Sequence, residues 1–306
     1  MFFMASAFIL LPGRKGLAQN PTFRAGIALV KVDAQVANRG GHVVEGLTQE
    51  DFQVLDDGRP QKIAYFAREE EPLDLVLLLD VSGSMHRHLE LLAQTGQSAL
   101  QQLYRSDRVG VVLFAKRAEV REPLTQDFHA VEEEMRDAVH TESLGSGTLI
   151  NASIVTAAQY LQKQLVRGRR AILIVTDNVS LNYMLPDAEV MRQLYAANAV
   201  LNGILVGKQK RPEPPRPGQY VNPDFTPSDV FKLADQSGGE ALEAGKIGES
   251  FRNIIERIRA RYSIQYEAPP SEPGAFHRIR VELAPHARSR HHDAVVRARA
   301  GYYAAQ

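Results

Sequence analysis

The chain has 306 residues, of which 44% are hydrophobic and 24% charged, and it contains no cysteine. This composition is ordinary for a globular protein that can bury a core. The 36 basic residues balance the 36 acidic ones, which argues against a generally basic nucleic-acid binder. The absence of cysteine excludes disulfides, thiol catalysis and cysteine-ligated metal sites.

The chain starts with an uncharged apolar run, "MFFMASAFILL". The run suits the hydrophobic region of a signal peptide and is too short to span a bilayer. Gly16 and Ala18 are small residues that precede a possible cleavage point before Gln19. The pattern predicts a signal peptide over 1–18 and an exported protein, located in the periplasm, in the cell envelope or outside the cell. No later segment predicts a transmembrane helix in the mature chain.

A β pattern covers 20–70. The stretch "IALVKVDAQV" alternates as a strand does, and "FQVLDDGRPQKIAYF" predicts two strands around a turn at Asp57 and Gly58. The β pattern returns over 261–306 in "RYSIQYEA", "HRIRVELA" and "AVVRARAGYY". Each piece alone would be marginally stable, so we expect the two to pair into one β-sandwich.

Between them, 72–260 alternates apolar strands with helical stretches. The runs "LDLVLLLD", "RVGVVLFA", "RAILIVTD" and "VLNGILVG" are typical of strands covered on both faces. Helices are predicted between them, and an amphipathic helix is predicted over 246–260. This rhythm predicts an α/β domain with a doubly wound, mainly parallel sheet.

The first α/β strand ends in "LLLDVSGSMHRH", which places Asp80, Ser82 and Ser84 at alternate positions. Ligands of open parallel sheets bind outside the carboxyl ends of the strands, and Gly83 is expected to let the backbone fold closely. A carboxylate and hydroxyls form a hard-oxygen set that suits Mg²⁺. The alternative for such a motif alone is a helix cap.

Two further residues are expected at the same sheet edge. Thr148 precedes a helix in "GSGTLINA", and Asp177 ends a buried strand in "ILIVTDN". With these two, the order and strand context of all five residues resemble the metal-ion-dependent adhesion site of von Willebrand factor type A domains. The flanking β segments resemble a narrower group, the von Willebrand factor A-related exported proteins of acidobacteria.

The resemblance implies specific roles. Ser82, Ser84 and Thr148 would contact the metal, Asp80 and Asp177 would act mostly through waters, and a carboxylate of a protein partner would complete the shell. The expected ion is Mg²⁺, with Mn²⁺ and Ca²⁺ as alternatives. Many members of the family have glycine after the second aspartate, whereas this chain has Asn178.

A proline-rich segment over 208–225 follows the strand "VLNGILV" and should therefore leave the same sheet edge. It offers side chains that interfaces use, namely arginines for carboxylates and aromatic rings for apolar contact. The predicted partner-binding residues are Arg211, Arg216, Tyr220 and Phe225. The alternative is a surface insertion without a role.

The sequence favours a non-enzymatic, exported module that captures an acidic group of a partner protein through a divalent cation. One alternative is a cytosolic or membrane-associated assembly factor for metalloenzymes. The other is a metal-assisted hydrolase, which would need a positioned base and an activated water. The sequence does not indicate the partner or the oligomeric state.

Overall fold

The computed structural model describes residues 28–68, 71–141, 144–145, 147–179, 185–207, 216–218 and 229–305. The predicted signal peptide lies outside these ranges. The strands are β1 (Leu29–Ala37), β2 (Phe52–Asp56), β3 (Arg59–Gln61), β4 (Ile63–Arg68), β5 (Leu73–Asp80), β6 (Arg108–Phe114), β7 (Ala118–Thr125), β8 (Arg169–Thr176), β9 (Ala199–Leu205), β10 (Ala241–Glu243), β11 (Arg261–Glu267), β12 (Phe276–Leu283), β13 (Val295–Arg297) and β14 (Gly301–Tyr303).

The helices in the same ranges are α1 (His86–Leu100), α2 (Phe128–Asp137), α3 (Ile150–Gln162), α4 (Asp187–Ala197), α5 (Val230–Ser237), α6 (Ile247–Arg259) and α7 (Pro285–Arg290). Short 3₁₀ turns cover Gln49–Asp51, Gly83–Met85 and Ala138–His140. None of the described helices combines the length and the apolar character that a membrane crossing requires.

The central sheet has the strand order β10-β9-β8-β5-β6-β7. Its neighbours pair in parallel except at β7, which pairs antiparallel with β6. Every residue of β5 and β8 is buried, because α1, α2 and α6 cover one face and α3, α4 and α5 cover the other. The predicted α/β class with a doubly wound, mainly parallel sheet is confirmed.

Strand β7 and helix α5 were not predicted from the sequence. The β7 stretch "AEVREPLT" has mixed charges and a proline, and none of its residues is buried. It occupies an edge of the sheet, where charge and proline are tolerated and the apolar signal of a central strand is weak.

Two antiparallel sheets combine strands from the two ends of the chain. One has the order β13-β1-β11-β4 and the other β14-β12-β2-β3. Apolar side chains of both sheets pack into a single cluster that includes Val32, Val54, Ile264 and Val281. The N- and C-terminal β segments therefore form the expected sandwich, while the domain boundaries at 20–70, 72–260 and 261–306 stay a prediction.

The sandwich contacts the α/β part at the end opposite the carboxyl ends of β5 and β8. Only Ala260 separates α6 from β11. The buried Arg169 side chain at the start of β8 donates to the carbonyl oxygen of Arg259 at 2.9 Å. The polar residues of the predicted metal site thus lie at the free edge of the central sheet.

Candidate metal centre

Asp80 is the last residue of β5, a central strand of the sheet, and therefore lies at the carboxyl ends of the parallel strands. Asp80 is fully buried and lies beside Phe114, the last residue of β6. Beyond it, the Val81 amide still donates to the Phe114 carbonyl at 2.8 Å. The chain then turns, because the Ser82 amide donates to Oδ1 of Asp80 at 2.9 Å. The Asp80 carboxylate therefore fixes the turn that follows it.

The two serine hydroxyls come together within this turn. The 3₁₀ segment Gly83–Met85 leads directly into α1, and it brings Oγ of Ser84 to 3.2 Å from Oγ of Ser82. Ser84 is exposed and Ser82 is half-buried. Two hydroxyl oxygens thus face solvent just beyond a buried carboxylate.

The expectation that Gly83 permits a close backbone approach is wrong. A Cβ atom at this position would meet no described protein atom within 4 Å, and its φ does not lie in the left-handed region. The compact turn comes from the Asp80 and Ser82 hydrogen bond and the 3₁₀ segment instead.

The neighbouring strand β8 places Asp177 beside Asp80. Thr176, its last residue, donates its hydroxyl to Oδ2 of Asp80 at 2.6 Å. The next residue, Asp177, is half-buried and accepts from the Val179 amide at 3.0 Å. Asn178 has φ +60°, a left-handed conformation that asparagine tolerates. The chain therefore makes a left-handed turn at Asn178 directly after Asp177.

Burial raises the pKa of Asp80 to about 6, and the hydrogen bonds from Thr176 and Ser82 lower it only in part. The charge of Asp177 raises it further. Next to this pair, the buried Oδ1 of Asn178 has no hydrogen-bond partner among the described residues. A nearby cation would lower the pKa of Asp80, because opposite charge favours the ionised carboxylate. It would also give the Asn178 oxygen a partner.

Thr148 reaches the same edge from a glycine-rich loop. Gly145 and Gly147 have φ +85° and +94°, which shapes the loop ahead of α3. The Leu149 amide donates to the carbonyl of Ala115, the residue after β6, at 3.0 Å. Thr148 is therefore held beside the end of β6 and is largely buried.

The fold brings the five predicted ligands to one edge of the sheet. Ser82 bonds Asp80, Ser84 bonds Ser82, and Asp177 follows Thr176, which bonds Asp80. Thr148 reaches this edge from the loop ahead of α3. The hydroxyl and carboxylate oxygens fit a hard divalent cation such as Mg²⁺. Their assignment as metal ligands stays a prediction. Thr176 was missed by the sequence analysis, although a hydroxyl residue directly before Asp177 at a strand end was the available signal.

Most of the predicted partner-binding loop lies outside the described residues, including Arg211, Tyr220 and Phe225. Arg216 is described and exposed. The loop leaves the central sheet after β9, where the Val206 amide donates to the Thr176 carbonyl at 3.0 Å. It therefore starts from the same edge as Asp177.

A second polar cluster was not anticipated. Asp56, Asp57 and His277 each offer a ligand atom, and these atoms lie within 4.8 Å of one another. In the sequence, "LDDG" indicated only a hairpin turn. His277 is 221 residues away from Asp56, so no local spacing could have joined them.

Residues 75–179 match the sequence profile of the von Willebrand factor type A domain. The match confirms the resemblance at the level of the domain, while the narrower acidobacterial group stays a prediction. A curated relative is an uncharacterized protein of Borreliella burgdorferi (strain ATCC 35210 / DSM 4680 / CIP 102532 / B31), 24% identical over 180 residues. The alignment covers 54% of this chain and 52% of the relative, so the chain spans about half the length of the curated relative that it matches.

Solved structures with similar folds include a "von Willebrand factor type A" protein from Catenulispora acidiphila. It is 13% identical, with a TM-score of 0.47, and the match covers 94% of this chain and 76% of that one. An aerotolerance-related membrane protein from Bacteroides fragilis NCTC 9343 is 18% identical, with a TM-score of 0.46, over 61% of this chain and 98% of that one.

Proposed function

We propose that this chain, which contains a von Willebrand factor type A domain over 75–179, is a metal-dependent protein-binding module without enzymatic activity. Domains of this type are protein-interaction modules. The observation that supports metal-dependent binding is the arrangement at the sheet edge, where the Ser82 and Ser84 hydroxyls lie 3.2 Å apart beyond the buried Asp80.

Ser82, Ser84 and Thr148 would hold the ion, and Asp80 and Asp177 would balance its charge. The chemistry that a bound Mg²⁺ supplies here is coordination of a carboxylate oxygen from the partner. Asp80 is held by the Thr176 hydroxyl and the Ser82 amide, so both of its oxygens are oriented by the protein.

The hydrolase alternative requires a base that is free to accept a proton from water. Both oxygens of Asp80 accept hydrogen bonds from the protein, and one oxygen of Asp177 does so as well. Both oxygens of Asp80 are therefore engaged in shaping the site, which favours binding over catalysis at this carboxylate.

The decisive experiment compares two serines on neighbouring segments by titrating Mg²⁺ calorimetrically into the full chain. Ser84→Ala should weaken Mg²⁺ binding at least tenfold, because it removes a proposed ligand at a solvent-facing position. Ser98→Ala is the matched control, since Ser98 is also exposed and its hydroxyl only bonds the Thr95 carbonyl within α1. Equal Mg²⁺ affinity in wild type and Ser84→Ala would refute the site.

A second measurement addresses the partner. Capture from an envelope extract should depend on Mg²⁺, should be lost with chelator and should be lost in Ser84→Ala but not in Ser98→Ala. Capture that persists with chelator would overturn the metal-dependent mechanism.

Export also belongs to the proposal and is supported by the apolar run over 1–18. Mass spectrometry of the natural protein should find a mature N-terminus near Gln19. An intact leader would favour the cytosolic or membrane-associated assembly factor instead.

A further inference from the structure

The second polar cluster lies in the sandwich rather than in the α/β part. Asp56 ends β2, Asp57 begins the turn to β3, and His277 lies near the start of β12. Strands β2 and β12 pair antiparallel, and the Asp57 amide donates to the Arg278 carbonyl at 2.9 Å. Backbone pairing therefore fixes the turn against His277.

Both carboxylates converge on one ring nitrogen. Nδ1 of His277 lies 2.9 Å from Oδ1 of Asp56 and 3.0 Å from Oδ2 of Asp57. Asp56 and His277 are buried, whereas 51% of the Asp57 side chain is exposed. Two carboxylates and one imidazole thus meet at a point that solvent reaches from one side.

The other oxygen of each carboxylate is held by the protein. The Tyr266 and Tyr302 hydroxyls donate to Oδ2 of Asp56 at 2.7 and 2.9 Å. The Arg278 amide donates to Oδ1 of Asp57 at 3.0 Å. Hydrogen bonds of this kind orient carboxylates that bind metals. Each aspartate is therefore left with one oxygen directed at the cluster.

The imidazole is fixed as well. The His277 ring stacks on Tyr302, with ring centroids 4.9 Å apart and an interplanar angle of 18°. The same Tyr302 side chain donates its hydroxyl to Asp56 at 2.9 Å, which ties the stacked ring to the carboxylate. The orientation of Nδ1 towards the aspartates is thus set by packing.

Asp57, the exposed member of the cluster, also lines a cavity of about 770 Å³ whose walls come from the sandwich and the α/β part. Asp57 and Gly58 line one wall, and Tyr195 of α4 together with Phe276 and Tyr303 lines another. Asp56 and His277 are not among the residues that line the cavity, so an ion would reach the cluster from the side of Asp57.

We propose that Asp56, Asp57 and His277 form a second divalent-metal site, selective for a first-row transition ion such as Zn²⁺. Imidazole suits Zn²⁺ and disfavours Mg²⁺, and three protein ligands with an open position are the usual set of a non-structural zinc site. The two sites would therefore select different ions, a hydroxyl-rich one for Mg²⁺ and a histidine-containing one for Zn²⁺.

The test titrates Zn²⁺ into the full chain by calorimetry with Mg²⁺ in excess, so that the sheet-edge site does not compete. We expect about one Zn²⁺ per chain and an affinity at least tenfold lower in Asp57→Asn. Asparagine is well suited to this position, because it tolerates the φ of +47° and can still accept from the Arg278 amide. Asp235→Asn, on the exposed face of α5, is the matched control and should bind as wild type.

Two further variants keep the test decisive. His277→Gln should also lose Zn²⁺ binding, and circular dichroism shows whether this variant folds. If it does not fold, the result for Asp57→Asn decides the test. Asp80→Asn should keep Zn²⁺ binding, so failure of the Mg²⁺ site and failure of this one are separable. Unchanged Zn²⁺ binding in Asp57→Asn would overturn the proposal, as would loss of binding only in the double variant His291→Gln/His292→Gln.

Discussion

Asp80 and Asp56 are both buried aspartates at strand ends, and their surroundings differ in kind. Asp80 receives a hydroxyl and a backbone amide and has a second carboxylate, Asp177, as its charged neighbour. Asp56 receives two phenol hydroxyls and faces an imidazole. The first site places a second negative charge beside its aspartate, whereas the second site gives its aspartate two hydroxyl donors on one oxygen and an imidazole beside the other.

The difference has a thermodynamic consequence. A buried carboxylate without a cation opposes folding until a metal arrives, whereas one that serves several buried donors holds the surrounding structure together. In the metal-free chain, removing the charge of Asp56 should therefore lower the free energy of unfolding, and removing the charge of Asp80 should raise it.

The largest effect is expected for Asp56→Ala. The change leaves the Tyr266 and Tyr302 hydroxyls and the His277 ring without their shared buried acceptor. We expect a loss of about 3–5 kcal/mol in the free energy of unfolding, measured by urea denaturation of the metal-free chain. Tyr266→Phe removes one of these bonds and should lose only about 1 kcal/mol. A loss below that of Tyr266→Phe would show that Asp56 does not hold the sandwich together.

The next effect has the opposite sign. Raising the pKa of Asp80 from 3.8 to about 6 corresponds to about 3 kcal/mol of destabilisation at neutral pH. Asp80→Asn should recover up to that amount in the metal-free chain, because the amide can accept from the Ser82 amide and donate to Thr176 without carrying a charge.

The stability difference between Asp80→Asn and wild type should depend on pH. Because the folded state holds the Asp80 proton more tightly than the unfolded state does, wild type loses stability as pH rises from about 4 to about 6. The stability difference between Asp80→Asn and wild type should be near zero below pH 4, grow up to pH 6 and then stay constant. In saturating Mg²⁺ the order should reverse, since only wild type gains from the ion. A difference that is independent of pH would contradict the assignment.

The same contrast explains what could be predicted from the sequence. Asp80, Ser82 and Ser84 lie within five residues, and Asp177 follows another apolar run, so the rule that parallel strands end at one sheet edge joins them. Asp56 and His277 meet only because β2 pairs with β12, and nothing in either segment specifies that register. The sandwich itself was predictable from two complementary β patterns, but its strand order was not.

Local backbone detail was the least predictable part. The turn at Asp57 and Gly58 was identified because Asp-Gly favours left-handed φ at both positions, and the structure has φ +47° and +78° there. The turn after Asp80 also contains a glycine, but Gly83 begins a 3₁₀ segment without a left-handed φ. Composition alone could not distinguish a glycine that the backbone needs from one that it merely tolerates.

The smallest predicted effect tests this distinction with two matched substitutions. At both Gly58 and Gly83 a Cβ would meet no described atom within 4 Å. Steric contacts therefore do not distinguish the two substitutions, and the difference between them reports on backbone conformation. Gly58→Ala should lose about 1–2 kcal/mol, because alanine is strained at φ +78°. Gly83→Ala should gain about 0.4–1 kcal/mol, because alanine restricts the unfolded chain without straining the folded one. Urea denaturation of the metal-free chain measures both, and a loss at Gly83 equal to that at Gly58 would mean that the turn after Asp80 also requires glycine.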